Sequence, residues 1–103
     1  MTALIVLFNL EDNAAAEQYE EWARTTDVPT VEGLDSVDAF RVFRANGLLM
    51  SDAASPYEYV EIIEINDLEQ FGDEMGSNTV QETAAEFQEF ADDPTFILTE
   101  QFA

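Results

Sequence analysis

With 103 residues the chain has the size of one domain, enough to bury a core and little more. Its 47% hydrophobic and 12% aromatic content sets it apart from disordered chains, although 23 acidic against 3 basic residues leave a net charge of −20. That balance rules out a basic footprint on nucleic acid or on an anionic membrane, and the lack of Cys and His rules out disulfides, thiolate and Ser-His-Asp nucleophiles, histidine-held haem and the common zinc sites.

The first element, Thr2 to Asn9 (TALIVLFN), is a continuous β-branched and aromatic run, as in a strand covered on both faces. Its apolar part, Ala3 to Phe8, is too short to cross a bilayer and has no basic residues before it, so a cytoplasmic protein is expected. A helix follows over EDNAAAEQYEEWARTTD, with Asp12 or Asn13 as cap and an apolar stripe of Ala15, Tyr19, Trp22 and Ala23. Pro29 and Gly33 end that segment. SVDAFRVFRA reads as the second strand and NGLLMSDAASP as an irregular connection.

Tyr57 to Ile65 (YEYVEIIEI) is the third strand. The second helical region opens at a cap, Asn66 or Asp67, and breaks into two pieces at Gly76-Ser77-Asn78. After Asp93-Pro94, TFILTEQF is the fourth strand. The order β-α-β-β-α-β predicts an α+β, ferredoxin-like domain over 1–103: a four-stranded antiparallel sheet with both helices on one face. Strand residues of both parities are apolar, Ala3, Ile5 and Leu7 against Leu4, Val6 and Phe8, so a monomer would leave one set in water. Two sheets packed face to face in a homodimer, a dimeric α/β barrel, remove that exposure.

Two of the three arginines, Arg41 and Arg44, fall in the second strand. Alternation sends Arg41 to the side of Val37, Ala39 and Phe43, and Arg44 to the side of Asp38, Phe40 and Val42. Asp38 stands roughly 20 Å from Arg44 along an extended strand and is no direct partner. In the third strand Tyr57, Tyr59 and Glu61 share one face with Ile63, while Glu58, Val60, Ile62 and Glu64 share the other. One arginine is therefore expected beside a same-face glutamate, Glu61 or Glu64, because a buried guanidinium needs a carboxylate.

Those arginines are either structural ion pairs or a guanidinium that orients an anionic or carbonyl oxygen, flanked by Tyr57 or Tyr59. Trp22 reads as core or as a ligand platform, Arg24 as compensation of a helix dipole, and Asn9 as a helix cap or a carbonyl binder. The acidic runs lack the EF-hand pattern, and no cofactor motif is present, so neither metal nor cofactor is expected. An acidic surface without lysine also fits a salt-adapted source. Any general base must be a carboxylate desolvated by its pocket, since ordinary ones ionise well below neutrality.

LIVLFNL, YEEWARTTDVPTV, LDSVDAFRVFR, PYEYVEIIEI and FADDPTFILTE together resemble the REDY-like family, the HapK-like proteins of prodigiosin-type pathways, over nearly the whole chain. The resemblance implies a dimeric α/β barrel and a role in bacterial secondary metabolism, around prodiginine or bisindole pigments, in condensation or ring closure of unstable intermediates.

Three functions stay open. The first is a small dimeric tailoring protein with its pocket between sheet and helices, taking a pyrrole- or indole-type metabolite. There Arg41, Glu61 and Tyr59 carry the chemistry, and Asn9, Trp22, Tyr57 and Arg44 bind the substrate. The second is a cofactor-free monooxygenase acting on an electron-rich aromatic. The third is a non-catalytic ligand-binding or structural dimer whose arginines only balance glutamates.

Overall fold

The computed structural model describes residues 1–103 and places four strands in one antiparallel sheet. In chain order these are β1 (Thr2–Leu10), β2 (Val37–Arg44), β3 (Tyr59–Ile65) and β4 (Ala91–Glu100), arranged β2-β3-β1-β4. Helix α1 (Ala16–Trp22) runs through a π-helical turn (Ala23–Asp27) into α2 (Val28–Glu32), and α3 (Leu68–Glu74) and α4 (Asn78–Phe90) link β3 to β4. This is the ferredoxin-like arrangement expected from the pattern.

The central strand β1 pairs with β3 from Thr2 opposite Ile65 to Phe8 opposite Tyr59. That register puts Val6, Phe8, Tyr59, Glu61 and Ile63 on one face, all buried. The helices cover this face in two adjoining clusters. Phe8, Tyr19, Ala23 and Phe87 form one; Val31, Phe40, Ile65 and Phe71 form the other. Phe8 is wholly buried and stacks on Tyr59 at 5.5 Å, so truncating it to alanine would cost about 3–5 kcal/mol.

The second helical region splits as its sequence predicts. Asp67 accepts from the Gln70 amide at 3.0 Å, and Ser77 from the Val80 amide at 3.4 Å, giving α3 and α4 one cap each. Four readings need correction. Neither Asp12 nor Asn13 caps α1, which begins behind Ala15 without a side-chain cap.

Pro29 does not end the first helix. The π turn hands the Val28 amide to the Ala23 carbonyl, and Pro29 then sits in the first turn of α2, where its missing N–H costs nothing; Gly33 closes the helix. Strand β4 begins at Ala91, before Asp93-Pro94, because an edge strand tolerates proline and Asp93 (φ 45°) absorbs a bulge opposite Leu7–Asn9. A second irregularity between Val37 and Ala39 separates Val37 from Arg41: Val37 is buried on the inner face and Arg41 points outward.

The principal extents are 41 × 36 × 20 Å, and the short axis holds only two layers, helices and sheet. The outer sheet face has no cover within the chain. Ile5, Leu7, Val60 and Ile62 lie there half-buried, and Phe43 and Ile97 are exposed. No helix is long and apolar enough to cross a membrane.

Candidate functional site

Two cavities adjoin, separated by Phe40, which lines both. The inner one, about 140 Å³, lies between the inner sheet face and the helices. Apolar side chains, among them Val6, Phe40, Ile63 and Phe87, make most of its wall, and two carboxyls, Asp27 and Glu61, open into it. The outer cleft, about 470 Å³, lies between α1 and β2 and is lined by Glu20, Arg44 and Tyr59 with Tyr19 and Arg41.

Glu61 reaches the inner cavity through strand parity: it is opposite Val6 in the middle of β3 and only 4% exposed. The Tyr19 hydroxyl donates to its Oε2 at 3.2 Å. Asp27 closes the π turn and is 6% exposed, and its side chain takes no hydrogen bond from the protein. Asp27 lies four residues beyond the buried Ala23 and eight beyond the buried Tyr19, on the helix face turned to the sheet, and π turns are frequent at functional sites.

Burial pushes Asp27 up to about 7, with the nearby Glu86 charge adding to the effect. Burial also pushes Glu61 up, to about 8; the charge of Asp27 works in the same direction and the Tyr19 hydroxyl against it. Asp27 therefore ionises first, and its charge helps to hold the proton on Glu61. Burial raises Tyr19 far above the usual phenol range, and the adjacent carboxyls reinforce that, so it remains a donor.

The outer cleft has the reverse electrostatics. Arg44 clasps Glu20 through both its Nε, at 2.7 Å, and its terminal nitrogen, while the Tyr59 hydroxyl donates to Glu20 Oε2 at 2.7 Å. The Arg44 hydrogen bond, followed by that of Tyr59, holds Glu20 down at about 2. Arg24 adds a contact to Glu20 at 3.4 Å.

The predicted site residues thus divide. Tyr59, Arg44 and Glu61 fall within or between the two cavities, with Arg41 at the cleft's lip. Arg41 pairs with Glu64 at 2.7 Å, one of the two expected partners, but neither strand arginine is buried; their side chains are 50% and 60% exposed.

Asn9 neither caps a helix nor faces a cavity: its amide donates to the Pro56 carbonyl at 3.0 Å and accepts from the Glu58 amide at 2.9 Å, which ties down the β2–β3 connection. Tyr57 precedes β3 and lines neither cavity. Trp22 packs against Phe87 and Phe90 and donates to Glu86.

Glu20 and Asp27 were not singled out by the sequence. For Asp27 a signal existed. It continues the line Tyr19, Ala23 at four-residue steps, a carboxylate in register with an apolar stripe. No group of three or more Asp or Glu gathers in metal-binding reach.

The family model described as REDY-like protein HapK matches residues 2–102. The chain belongs to the REDY-like HapK family. The crystal structure of HapK from Hahella chejuensis is 33% identical, with a TM-score of 0.79, and the match covers 99% of this chain and 93% of that one.

More distant structures share the fold. A dimeric ferredoxin-like protein of unknown function from Thermobifida fusca is 14% identical, with a TM-score of 0.76 over 97% of this chain and 90% of that one. SnoaB, a cofactor-independent oxygenase from Streptomyces nogalater, crystallised as a point mutant, is also 14% identical, with a TM-score of 0.74 over 99% and 93%. Among functionally curated proteins none matches this sequence.

Proposed function

We propose that the protein is a cytoplasmic, dimeric tailoring protein of bacterial secondary metabolism. It binds a pyrrole- or indole-type intermediate of a prodiginine or bisindole pathway and assists its condensation or ring closure by proton transfer. Family membership supports the setting. The observation that carries the chemistry is the carboxyl pair Asp27 and Glu61 in an apolar cavity, one ionised and one protonated near neutrality.

In such a condensation an electron-rich ring carbon attacks a carbonyl carbon. Glu61 gives its proton to the carbonyl oxygen as the carbon–carbon bond forms. Asp27 takes the proton from the attacking ring carbon and restores aromaticity, then passes that proton to the new hydroxyl, which leaves as water. The positive charge left behind is shared with the ring nitrogen, and Glu61 is reprotonated from solvent. Tyr19 keeps Glu61 oriented. In the cleft Tyr59 and Arg44, held by Glu20, face the part of the substrate that projects outward, with Arg41 at the rim. Asn9 serves by fixing the loop that leads into β3, and Trp22 by packing α1 against α4.

Complementing a deletion strain of a pigment producer tests this reading. Glu61→Gln is expected to lower turnover about 10²–10⁴-fold while the protein stays folded. A pigment profile unchanged by deletion would remove it. Oxygen uptake with a phenolic or pyrrolic substrate would favour a cofactor-free monooxygenase instead, the chemistry named for SnoaB.

A second copy covering the outer sheet face would bury Ile5, Val60, Ile62 and Ile97, with Arg41 and Glu64 in their midst. The Thermobifida neighbour's description as dimeric supports this. Light scattering is expected to give twice the chain mass. Ile97→Asp, on an edge strand and already exposed, should give a folded monomer; a wild-type monomer at working concentration would contradict the dimer.

A further inference from the structure

Asp27 presents an unusual combination. It is more than nine-tenths buried, opens into a cavity, and has no hydrogen-bond donor of its own. The groups around it are acidic or neutral: Glu61 from β3, Glu86 from α4 and Tyr19 from α1. Tyr19 gives its one proton to Glu61, not to Asp27. Every arginine is engaged elsewhere, Arg24 with Glu20 and Glu21, Arg41 with Glu64, and Arg44 with Glu20. No sealed-off side-chain oxygen lacks a partner, so the Asp27 carboxylate faces the open cavity, and its donor comes from whatever fills that space: water in the resting protein, a guest when one enters.

The cavity sets the guest's size. Its 140 Å³ is close to the roughly 150 Å³ of an apolar protein cavity that takes up one benzene molecule. One aromatic ring fits, and any further ring must extend past Phe40 toward the outer cleft. An anionic ring would meet two carboxyls and no cation.

We propose that the inner cavity is a single-ring subsite selective for an N–H-bearing nitrogen heterocycle, neutral or cationic, whose N–H donates to the Asp27 carboxylate. This rests on the reading of the cavity as the substrate site and names the group by which the ring is recognised. Asp27 then also fixes the ring's rotation. A donor pinned at Asp27 sets which ring carbon lies toward Glu61 and which toward the cleft, and so which position reacts.

The test uses pyrrole and furan, rings of the same shape that differ in the N–H. The ¹⁵N-labelled wild-type protein is titrated by NMR at about 0.5 M salt, which screens attraction of cations to the acidic surface. Pyrrole is expected to shift amides around Asp27 and Glu61 and to bind at least about tenfold more tightly than furan. Imidazole should bind at the same amides, and benzoate should not.

Asp27→Leu fills the site with apolar atoms and should bind pyrrole and furan alike. Should that variant not fold, Asp27→Asn, which keeps the shape and loses the charge, is expected to weaken imidazole about tenfold. Equal binding of pyrrole and furan to the wild type, or a preference that survives Asp27→Leu, overturns the proposal. The outcome is separable from the pathway assignment. A pyrrole preference lost in Asp27→Leu upholds the subsite even if deletion leaves pigment unchanged, and its absence sinks the subsite even if Glu61→Gln abolishes pigment.

Discussion

Glu20 and Glu61 are the same residue type, each receives a tyrosine hydroxyl, and they titrate in opposite directions. Glu20 stands at the cleft with Arg44 across it and is held at about 2. Glu61 stands inside, with no cation in reach and Asp27 nearby, and is pushed up to about 8. A phenol donor cannot decide between these outcomes, since both glutamates have one. The decision comes from burial and from the sign of the neighbouring charge. The molecule thus keeps a fixed anion at its rim, on α1, and a proton held near neutrality in its interior, on β3.

The comparison breaks most visibly in how stability depends on pH. The inner carboxyls have raised pKa values, so the folded state is favoured by them below about pH 4, where both are protonated in either state. That advantage drains away as pH rises through about 7 and about 8. Glu20 works the other way: its contribution is present above its ordinary value of 4.5 and is lost as pH falls toward about 2. Replacing both inner carboxyls, Asp27→Asn with Glu61→Gln, is therefore expected to raise stability above about pH 8 by roughly 2–4 kcal/mol relative to the wild type, and to have little effect near pH 4. Urea denaturation at the two pH values measures it; equal effects at both would contradict the buried pair.

Tyr19→Phe sharpens the comparison on the inner side. It strips Glu61 of its one donor without opening a cavity, so a loss of about 1–2 kcal/mol is expected, together with a further rise of the Glu61 pKa. The smallest effect belongs to the rim. Arg44→Met should move the Glu20 titration up toward 4.5 while the melting temperature hardly changes, because an exposed ion pair contributes little. A large drop in melting temperature would show that the Arg44–Glu20–Tyr59 contact supports the fold more than its exposure implies.

Much of the fold was legible because its local signals agreed with one another. The apolar run of β1, the β-branched β3 and the Gly76-Ser77 break each point to one element, and Ser77 caps α4 where the break was read. Two of the misreadings share a cause: in each, a neighbouring segment removes the usual cost of a local signal. Pro29 ends a helix by rule, yet the π turn before it makes its missing N–H harmless. Asp93-Pro94 reads as a loop, yet at the sheet edge only one side of the strand is paired. The bulge after Val37 flips one residue between faces and leaves no compositional trace.

The site was legible in the same uneven way. Strand parity put Glu61 on one face with Tyr59 without any knowledge of the helices, but left open which face of the sheet they cover. Glu20 and Asp27 were hidden among 23 acidic residues, where composition assigns every carboxylate to the surface. Asp27 keeps the four-residue step from Tyr19 and Ala23, but a helix end expected at Pro29 and the many other carboxylates around it masked that spacing. The arginines drew attention by being scarce, yet scarcity marked the rim of the outer cleft and not the buried carboxyl pair.

Carbon-detected NMR of the aspartate and glutamate side-chain carboxyls, followed from acid to alkaline pH, tests the central claim most directly. Asp27 and Glu61 are expected to titrate near neutrality, about 7 and about 8, while Glu20 stays ionised down to about 2. If both inner carboxyls lost their protons in the ordinary range near 4, the cavity would hold no movable proton and the account would fail.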